Sequence, residues 1–96
     1  MSQLLASAEK AEAYLKLLAN KNRLMILCNL VEGERSVSQL NELIPLAQSA
    51  LSQHLASLRT AKMVSTRRDA QTIYYSLADD DAKQILQLLY RMFCET

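Results

Sequence analysis

Hydrophobic residues recur with a helical period along most of the chain. In the first segment they alternate between spacings of four and three residues, as on one face of an amphipathic helix. These residues are Leu4, Ala8, Ala11, Leu15 and Leu18. The spacing predicts a first helix with one continuous apolar stripe.

Capping residues and apolar stripes predict three further helices. Asn20 is placed to cap the second helix, and Ser36 with Gln39 has the sequence of a capping box for the third. Pro45 disfavours helix at the residue before it and therefore ends the third helix. A fourth helix is predicted to begin near Gln48. The predicted inward residues of these helices are Leu24, Leu27, Cys28 and Val31, then Leu40, Leu43 and Ile44, then Leu51, Leu55 and Leu58.

The second half of the chain contains a predicted hairpin. Residues 64–68 and 72–77 are rich in Val, Thr, Ile and Tyr, and residues 69–71 join them. After the acidic residues 79–81, a last helix is striped by Ile85, Leu88, Leu89 and Met92. The prediction is a mainly α protein with a β-hairpin wing, five helices and two strands in the order ααααββα. Helix, turn, helix and hairpin in that order are typical of a winged helix-turn-helix protein.

Composition agrees with one small helical domain over residues 1–96. Half of the residues are hydrophobic, and glycine and proline occur once each, at Gly33 and Pro45. Gly33 is expected to end the second helix in a left-handed conformation. The apolar residues of the first and last helices exceed what a small core needs, so these helices are expected to form a homodimer interface. No apolar run is long enough to span a membrane and no signal peptide is recognisable, which predicts a cytoplasmic protein.

Charge is unevenly distributed, although the net charge is only +1. Residues 48–72 contain Arg59, Lys62, Arg67 and Arg68 but only Asp69 as an acid, a local net charge of +3. Residues 1–47 are balanced, and residues 73–96 carry a net charge of −2. The fourth helix and the hairpin therefore form the candidate nucleic-acid-binding segment.

The segment "SVSQLNELIPLAQSALSQHLASLRTAKMVSTRRDAQTIYYSL" closely resembles the core of ArsR/SmtB-family transcriptional regulators. "NRLMIL" is similar to the family's second helix and "QSALSQHLASLR" to its recognition helix, and the resemblance covers nearly the whole chain. Two positions depart from the family pattern. Ala47 stands where many relatives have a capping serine, and Lys62 where a glycine usually ends the recognition helix.

The resemblance implies a homodimer that binds palindromic double-stranded DNA. The expected DNA-contacting residues of the fourth helix are Gln48, Ser49, Ser52, Gln53, His54 and Arg59, and those of the wing are Arg67, Arg68 and Gln71. Amides, hydroxyls and guanidinium groups bond base edges or phosphates. Neighbouring strand residues point to opposite faces, so only one of the two arginines is expected to contact DNA. The competing interpretation is an ordinary solvated helix face.

His54 is the only histidine, and it raises the alternatives of a metal ligand or a pH switch. A single histidine does not supply a metal site, and the last helix contains none. Neither a metal nor any other cofactor is expected. Motifs for nucleophilic, phosphate-binding or thiol oxidoreductase chemistry are also absent, so the sequence does not predict an enzyme.

Cys28 in "ILCNL" and Cys94 near the end of the chain resemble the sensing cysteines of the sulfide- and redox-responsive (BigR/SqrR/HlyU-like) branch of that family. That resemblance implies a repressor whose operator affinity falls when reactive sulfur species bridge the two thiols. The alternatives are an activator that displaces a silencer, and a metal-responsive repressor. The alternative for each cysteine is a role in packing alone.

Overall fold

The structure is a computed structural model that describes residues 2–94. Within that range the protein has five helices and three strands, so it is mainly helical as predicted. The elements are α1 (Ser2–Leu18), α2 (Lys21–Asn29), β1 (Arg35–Ser36), α3 (Val37–Leu43), α4 (Gln48–Thr60), β2 (Val64–Asp69), β3 (Thr72–Leu77) and α5 (Asp80–Phe93).

Three helices begin at side-chain caps that satisfy exposed backbone N–H groups. The Asn20 side chain accepts hydrogen bonds from two N–H groups at the start of α2. At α3, Ser36 and Gln39 form the predicted capping box, with distances of 3.1 and 2.9 Å. Asp79 caps α5 by accepting a 2.9 Å bond from the Ala82 N–H. Polar residues just before apolar stripes therefore set these helix starts.

Helix α4 differs from those three at both ends. Ala47 precedes it and provides no side-chain hydrogen bond. At the other end, the Met63 N–H bonds the Leu58 carbonyl and the Lys62 N–H bonds the Arg59 carbonyl, each at 3.0 Å. This pair of bonds is a Schellman motif, which requires a left-handed residue that is usually glycine. Lys62 adopts that conformation with φ of 63°.

The prediction that Gly33 ends α2 is wrong. Helix α2 ends at Asn29, and its C-cap is Leu30 in a right-handed conformation. Gly33 lies beyond the helix with φ of 148°, in the turn that leads to β1. A lone glycine shows where the chain needs a positive φ, but not how many residues separate it from the preceding helix.

The sheet is antiparallel with the order β1-β3-β2. Asp69 pairs with Thr72, so Ala70 and Gln71 form a two-residue turn at the tip of the wing. Ala70 takes the positive φ of 57° that such a turn requires. Strand β1 adds a third strand to the predicted two, pairing residues 35–36 with residues 74–75. Two residues are too few to produce an alternating pattern in the sequence.

The core lies where α2, α3, α4 and α5 meet the base of the wing. Leu51, Leu55 and Leu58 of α4 are all buried, as predicted. Ile26 and Leu86 are fully buried although they lie outside the predicted stripes. The remaining buried apolar residues are Leu18, Leu27, Leu30, Leu40, Ile44, Met63, Val64 and Ala82. The core therefore holds α4 and the wing in fixed relative positions.

Candidate nucleic-acid interface and thiol site

The outer face of α4 is polar and carries no acidic side chain. Five of the predicted DNA-contacting residues of α4 are exposed: Gln48, Ser49, Ser52, Gln53 and Arg59. The sixth, His54, is half-buried. Ala47 supplies no side-chain hydrogen bond to the first backbone N–H groups of α4. Such N–H groups bind phosphate well. This face therefore offers donors and acceptors suited to a DNA groove.

The two wing arginines are in different environments. Arg67 donates to both carboxylate oxygens of Glu34, at 3.1 and 2.6 Å, and its guanidinium lies 4.7 Å from the Tyr74 ring centroid. The hydrogen bond from Arg67 holds the pKa of the Glu34 carboxyl below its ordinary value. Arg68 instead bonds only the Ala70 carbonyl at the wing tip, at 3.2 Å, among the hydrogen bonds within residues 2–94. Arg68 is therefore the more available cation.

Cys28 lies on α2, and Cys94 directly follows α5, the helix that packs against α2. Cys28 is half-buried on α2, Cys94 is exposed directly after α5, and neither is in a disulfide. Burial raises the pKa of the Cys28 thiol above its ordinary value, and the charge of Cys94 raises it further. The contact between α2 and α5 thus places side by side two elements whose thiols are 66 positions apart in sequence.

A cavity of about 640 Å³ lies beside Cys28, between α2 and α5. Three charged side chains line it, Glu32, Arg35 and Arg91, together with the amides of Gln84 and Gln87. No single sequence pattern indicates this cavity. One signal was present, because Gln87, Arg91 and Cys94 follow an i, i+4, i+7 spacing and so share one helix face.

A large apolar surface remains exposed on α1 and α5. Leu4 and Leu15 of α1 are 69% and 60% exposed, and Met92 and Phe93 of α5 are 59% and 75% exposed. These residues belong to the two helices in which sequence analysis found surplus apolar side chains. Isolated exposed apolar residues are common on proteins, but clusters of this kind mark interaction surfaces.

The described part of the chain lacks both a metal-binding cluster and a membrane-spanning helix. Residues 2–94 hold no cluster of three or more His, Cys, Asp or Glu side chains able to bind a metal ion. In the same range, no helix combines the length and apolar character needed to cross a membrane.

An exposed acid-free helix set against a basic hairpin defines a winged-helix protein of the DNA-binding class. The model of the bacterial regulatory protein arsR family matches residues 20–66. The chain is 46% identical to the transcriptional activator HlyU of Vibrio cholerae over 93% of this chain and 82% of the relative. It is 44% identical to the biofilm growth-associated repressor of Agrobacterium fabrum over 91% and 74%.

The solved structure of reduced HlyU from Vibrio cholerae is similar to this one. Its TM-score is 0.92 at 44% identity, and the match covers 98% of this chain and 99% of that one. The chain belongs to the ArsR family, and it is a transcriptional regulator rather than an enzyme. Family membership confirms the predicted class of protein.

Proposed function

We propose that the protein represses transcription as a homodimer on a palindromic operator, and that bridging Cys28 to Cys94 with reactive sulfur lowers its operator affinity. The observation that carries this proposal is the acid-free outer face of α4 beside the wing, on a body in which the helix of Cys28 packs against the helix that precedes Cys94. The thiols would start reduced, as in the cytoplasm, to which we assign the protein.

Dimerisation is proposed to use the exposed apolar faces of α1 and α5. A palindromic operator presents two half-sites about 34–36 Å apart on one side of the duplex. Two copies of α4 can occupy both only if the subunits hold a fixed spacing. Residues such as Leu15 and Met92, exposed in one chain, would then be buried between two.

Base reading is assigned to α4, and backbone contact to the wing. Ser52, Gln53 and His54 lie on α4 where amide, hydroxyl and imidazole groups could reach base edges in the major groove. Arg68 at the wing would contact the sugar-phosphate backbone or minor groove. Arg67 is a weaker candidate than sequence analysis expected, because it would first have to leave Glu34.

The proposed bridge has a balanced chemistry with an organic persulfide RSSH as donor. Each thiol takes the outer sulfur of one donor and releases RSH. The terminal sulfur of one cysteine persulfide then attacks the inner sulfur of the other, expels HS⁻ and closes a trisulfide. The bridge would tie the end of α5 to α2 and so change how α5 sits in the dimer. A tenfold loss of operator affinity needs only ~1.4 kcal/mol of differential binding.

The test is an operator titration by fluorescence anisotropy, with and without a persulfide donor, with intact mass measured in parallel. The wild type should release DNA when the bridge forms. Cys28→Ser and Cys94→Ser should bind DNA normally and stop responding. A single mutant that still releases DNA, or release without an intramolecular bridge, would refute the switch.

DNA contact is tested separately under reducing conditions. Gln53→Ala should weaken operator binding by ~1–3 kcal/mol and relax sequence preference, whereas Arg68→Ala should weaken all sequences alike. Ser57→Ala, another exposed position of α4, is the matched control. Unchanged binding in both the Gln53 and Arg68 variants would remove this face from the DNA.

An activator is the second candidate, because HlyU is named as one whereas the Agrobacterium relative is named as a repressor. An activator of this kind would bind the same operator but displace a silencing protein from it. Transcription in vitro from the naked promoter separates the two. A repressor lowers transcription, while a displacing activator has no effect until the silencer is added.

A further inference from the structure

We propose that the cavity between α2 and α5 binds the sulfur donor itself, as an organic persulfide bearing carboxylates, with Arg35 and Arg91 as its anchors. This inference rests on the proposed thiol switch and names the substrate class of its first step. The donor's outer sulfur would lie at Cys28, and its carboxylates would lie at the guanidinium groups.

The cavity has the size and the charge for such a ligand. Its volume of about 640 Å³ lies within the range of pockets that hold small organic molecules. Two guanidinium groups and one carboxylate line it, an excess of one positive charge. Polar amides, the Cys28 thiol and the side chains of Val31, Leu86, Leu88 and Tyr90 complete the lining. An anionic molecule with a short apolar stem matches this distribution.

Both arginines are available to bind a carboxylate. Arg35 uses its Nε to donate a 2.8 Å bond to the Asn29 carbonyl, which fixes the side chain and leaves the two terminal amino groups for a ligand. Within residues 2–94 the only ion pair joins Arg67 to Glu34, so neither cavity arginine is neutralised by a carboxylate of that range. Guanidinium groups bind carboxylates in a two-pronged geometry, which would orient the donor.

The reactivity of Cys28 explains why a bound donor matters. A half-buried thiol with a raised pKa is mostly protonated at neutral pH and reacts slowly with dilute reagents. A donor held beside it reacts as in a unimolecular step, which offsets that handicap. The cavity would thus favour anionic organic persulfides over peroxide.

The step transfers one sulfur atom and needs no further oxidant. The Cys28 sulfur bonds to the outer sulfur of RSSH, and the donor's own S–S bond breaks. The leaving thiolate RS⁻ takes up the proton that Cys28 loses. The products are the Cys28 persulfide and RSH, and the bridging to Cys94 follows as described above.

The experiment measures the rate of single-sulfur addition to Cys28 by mass spectrometry in the Cys94→Ser protein. The donors are glutathione persulfide and the persulfide of its diethyl ester, which lacks free carboxylates. Glutathione persulfide should react about tenfold faster than the ester. Its rate should saturate as its concentration rises, because the donor binds before it reacts. Arg91→Gln should lower the rate with glutathione persulfide about tenfold and leave the rate with the ester unchanged.

Lys83→Gln is the matched control, since Lys83 is a cation of the same helix outside the cavity lining. It should change neither rate. S-methylglutathione, which cannot transfer sulfur, should protect Cys28 from iodoacetamide unless Arg91 is replaced. Equal rates for the two donors, or no effect of Arg91→Gln, would overturn the cavity assignment.

The outcomes separate this inference from the proposed switch. Equal donor rates with normal DNA release remove the cavity site and leave the switch intact. If sulfur addition to Cys28 depends on Arg91 but the operator affinity of the wild type does not respond to the donor, the cavity site is supported and the switch is refuted. Absence of any sulfur addition to Cys28 refutes both.

Discussion

Helices α4 and α5 are of nearly equal length and both amphipathic, but they leave different kinds of surface. In α4 the apolar residues Leu51, Leu55 and Leu58 are all buried, and the outer face is polar. In α5 Leu86 is fully buried, whereas Met92 and Phe93 are mostly exposed. One chain therefore completes the environment of α4 but not that of α5. Helix α4 therefore presents a polar face to a ligand, whereas α5 keeps an apolar face that a partner would have to cover.

The largest expected effect concerns the packing of α4. Leu55→Ala should lower the free energy of unfolding by about 2–5 kcal/mol, because Leu55 is fully enclosed and its removal leaves a cavity. Urea denaturation followed by circular dichroism measures the loss. Leu4→Ala, at a position 69% exposed in one chain, is the comparison variant and should cost far less at low protein concentration. A loss below about 1 kcal/mol for Leu55→Ala would contradict the core described here.

The apolar face of α5 is tested by Met92→Arg. A charge in the proposed interface should convert the dimer to the 10.8 kDa monomer in sedimentation. Operator affinity should fall by about 100-fold, because each half-site is then bound independently. Ile73→Arg, an exposed apolar position on the wing, should leave the sedimentation unchanged. A Met92→Arg protein that remains dimeric would place the interface elsewhere.

Cys28 lies on α2, the helix that packs against α5, and its thiol gives a pH prediction. The raised pKa means that the midpoint of Cys28 alkylation by iodoacetamide should lie above the ordinary pKa of a cysteine thiol. Cys94→Ser should move the midpoint to lower pH, since the Cys94 charge contributes to the shift. The same pKa shift stabilises the folded state at pH values below the ordinary thiol pKa. This stabilisation is lost as the pH rises through the raised pKa of the folded state. A midpoint at or below the ordinary value would contradict the burial of Cys28.

The smallest expected effect is at the end of α4. Lys62→Gly should raise the free energy of unfolding by about 0.5–1 kcal/mol, because glycine adopts a positive φ without the steric cost that a lysine meets. Thermal unfolding measures the gain. Lys83→Gly, in the interior of α5, should instead destabilise by about 1 kcal/mol. No gain at Lys62 would show that the Schellman motif carries no strain.

The sequence predicted those parts of the fold that depend on local signals. The caps at Asn20 and Ser36, the end of α3 before Pro45 and the start of α5 after the acidic residues 79–81 all follow from neighbouring residues. Strand β1 could not be predicted, because its two residues are held by pairing with β3 rather than by a preference of their own. The positions of α4 and the wing followed from pattern together with family resemblance.

The candidate sites were predicted less completely, because they depend on contacts between distant residues. The exposure of the polar face of α4 followed from helical periodicity. The pairing of Arg67 with Glu34 joins residues 33 positions apart, and nothing local to either one indicates it. The cavity beside Cys28 likewise needs α2 and α5 to be placed together before Arg35 and Arg91 can face a common space.

The contact between Glu34 and Arg67 has a consequence for the counterions that DNA releases. A cation already neutralised by a carboxylate displaces no counterion from DNA unless that pair opens. Each phosphate contact steepens the dependence of log affinity on log salt by about 0.9. With Arg67 held by Glu34, each wing would add about 0.9 through Arg68 rather than about 1.8. The ion pair would thus make operator binding less sensitive to ionic strength than the arginine count of the wing suggests.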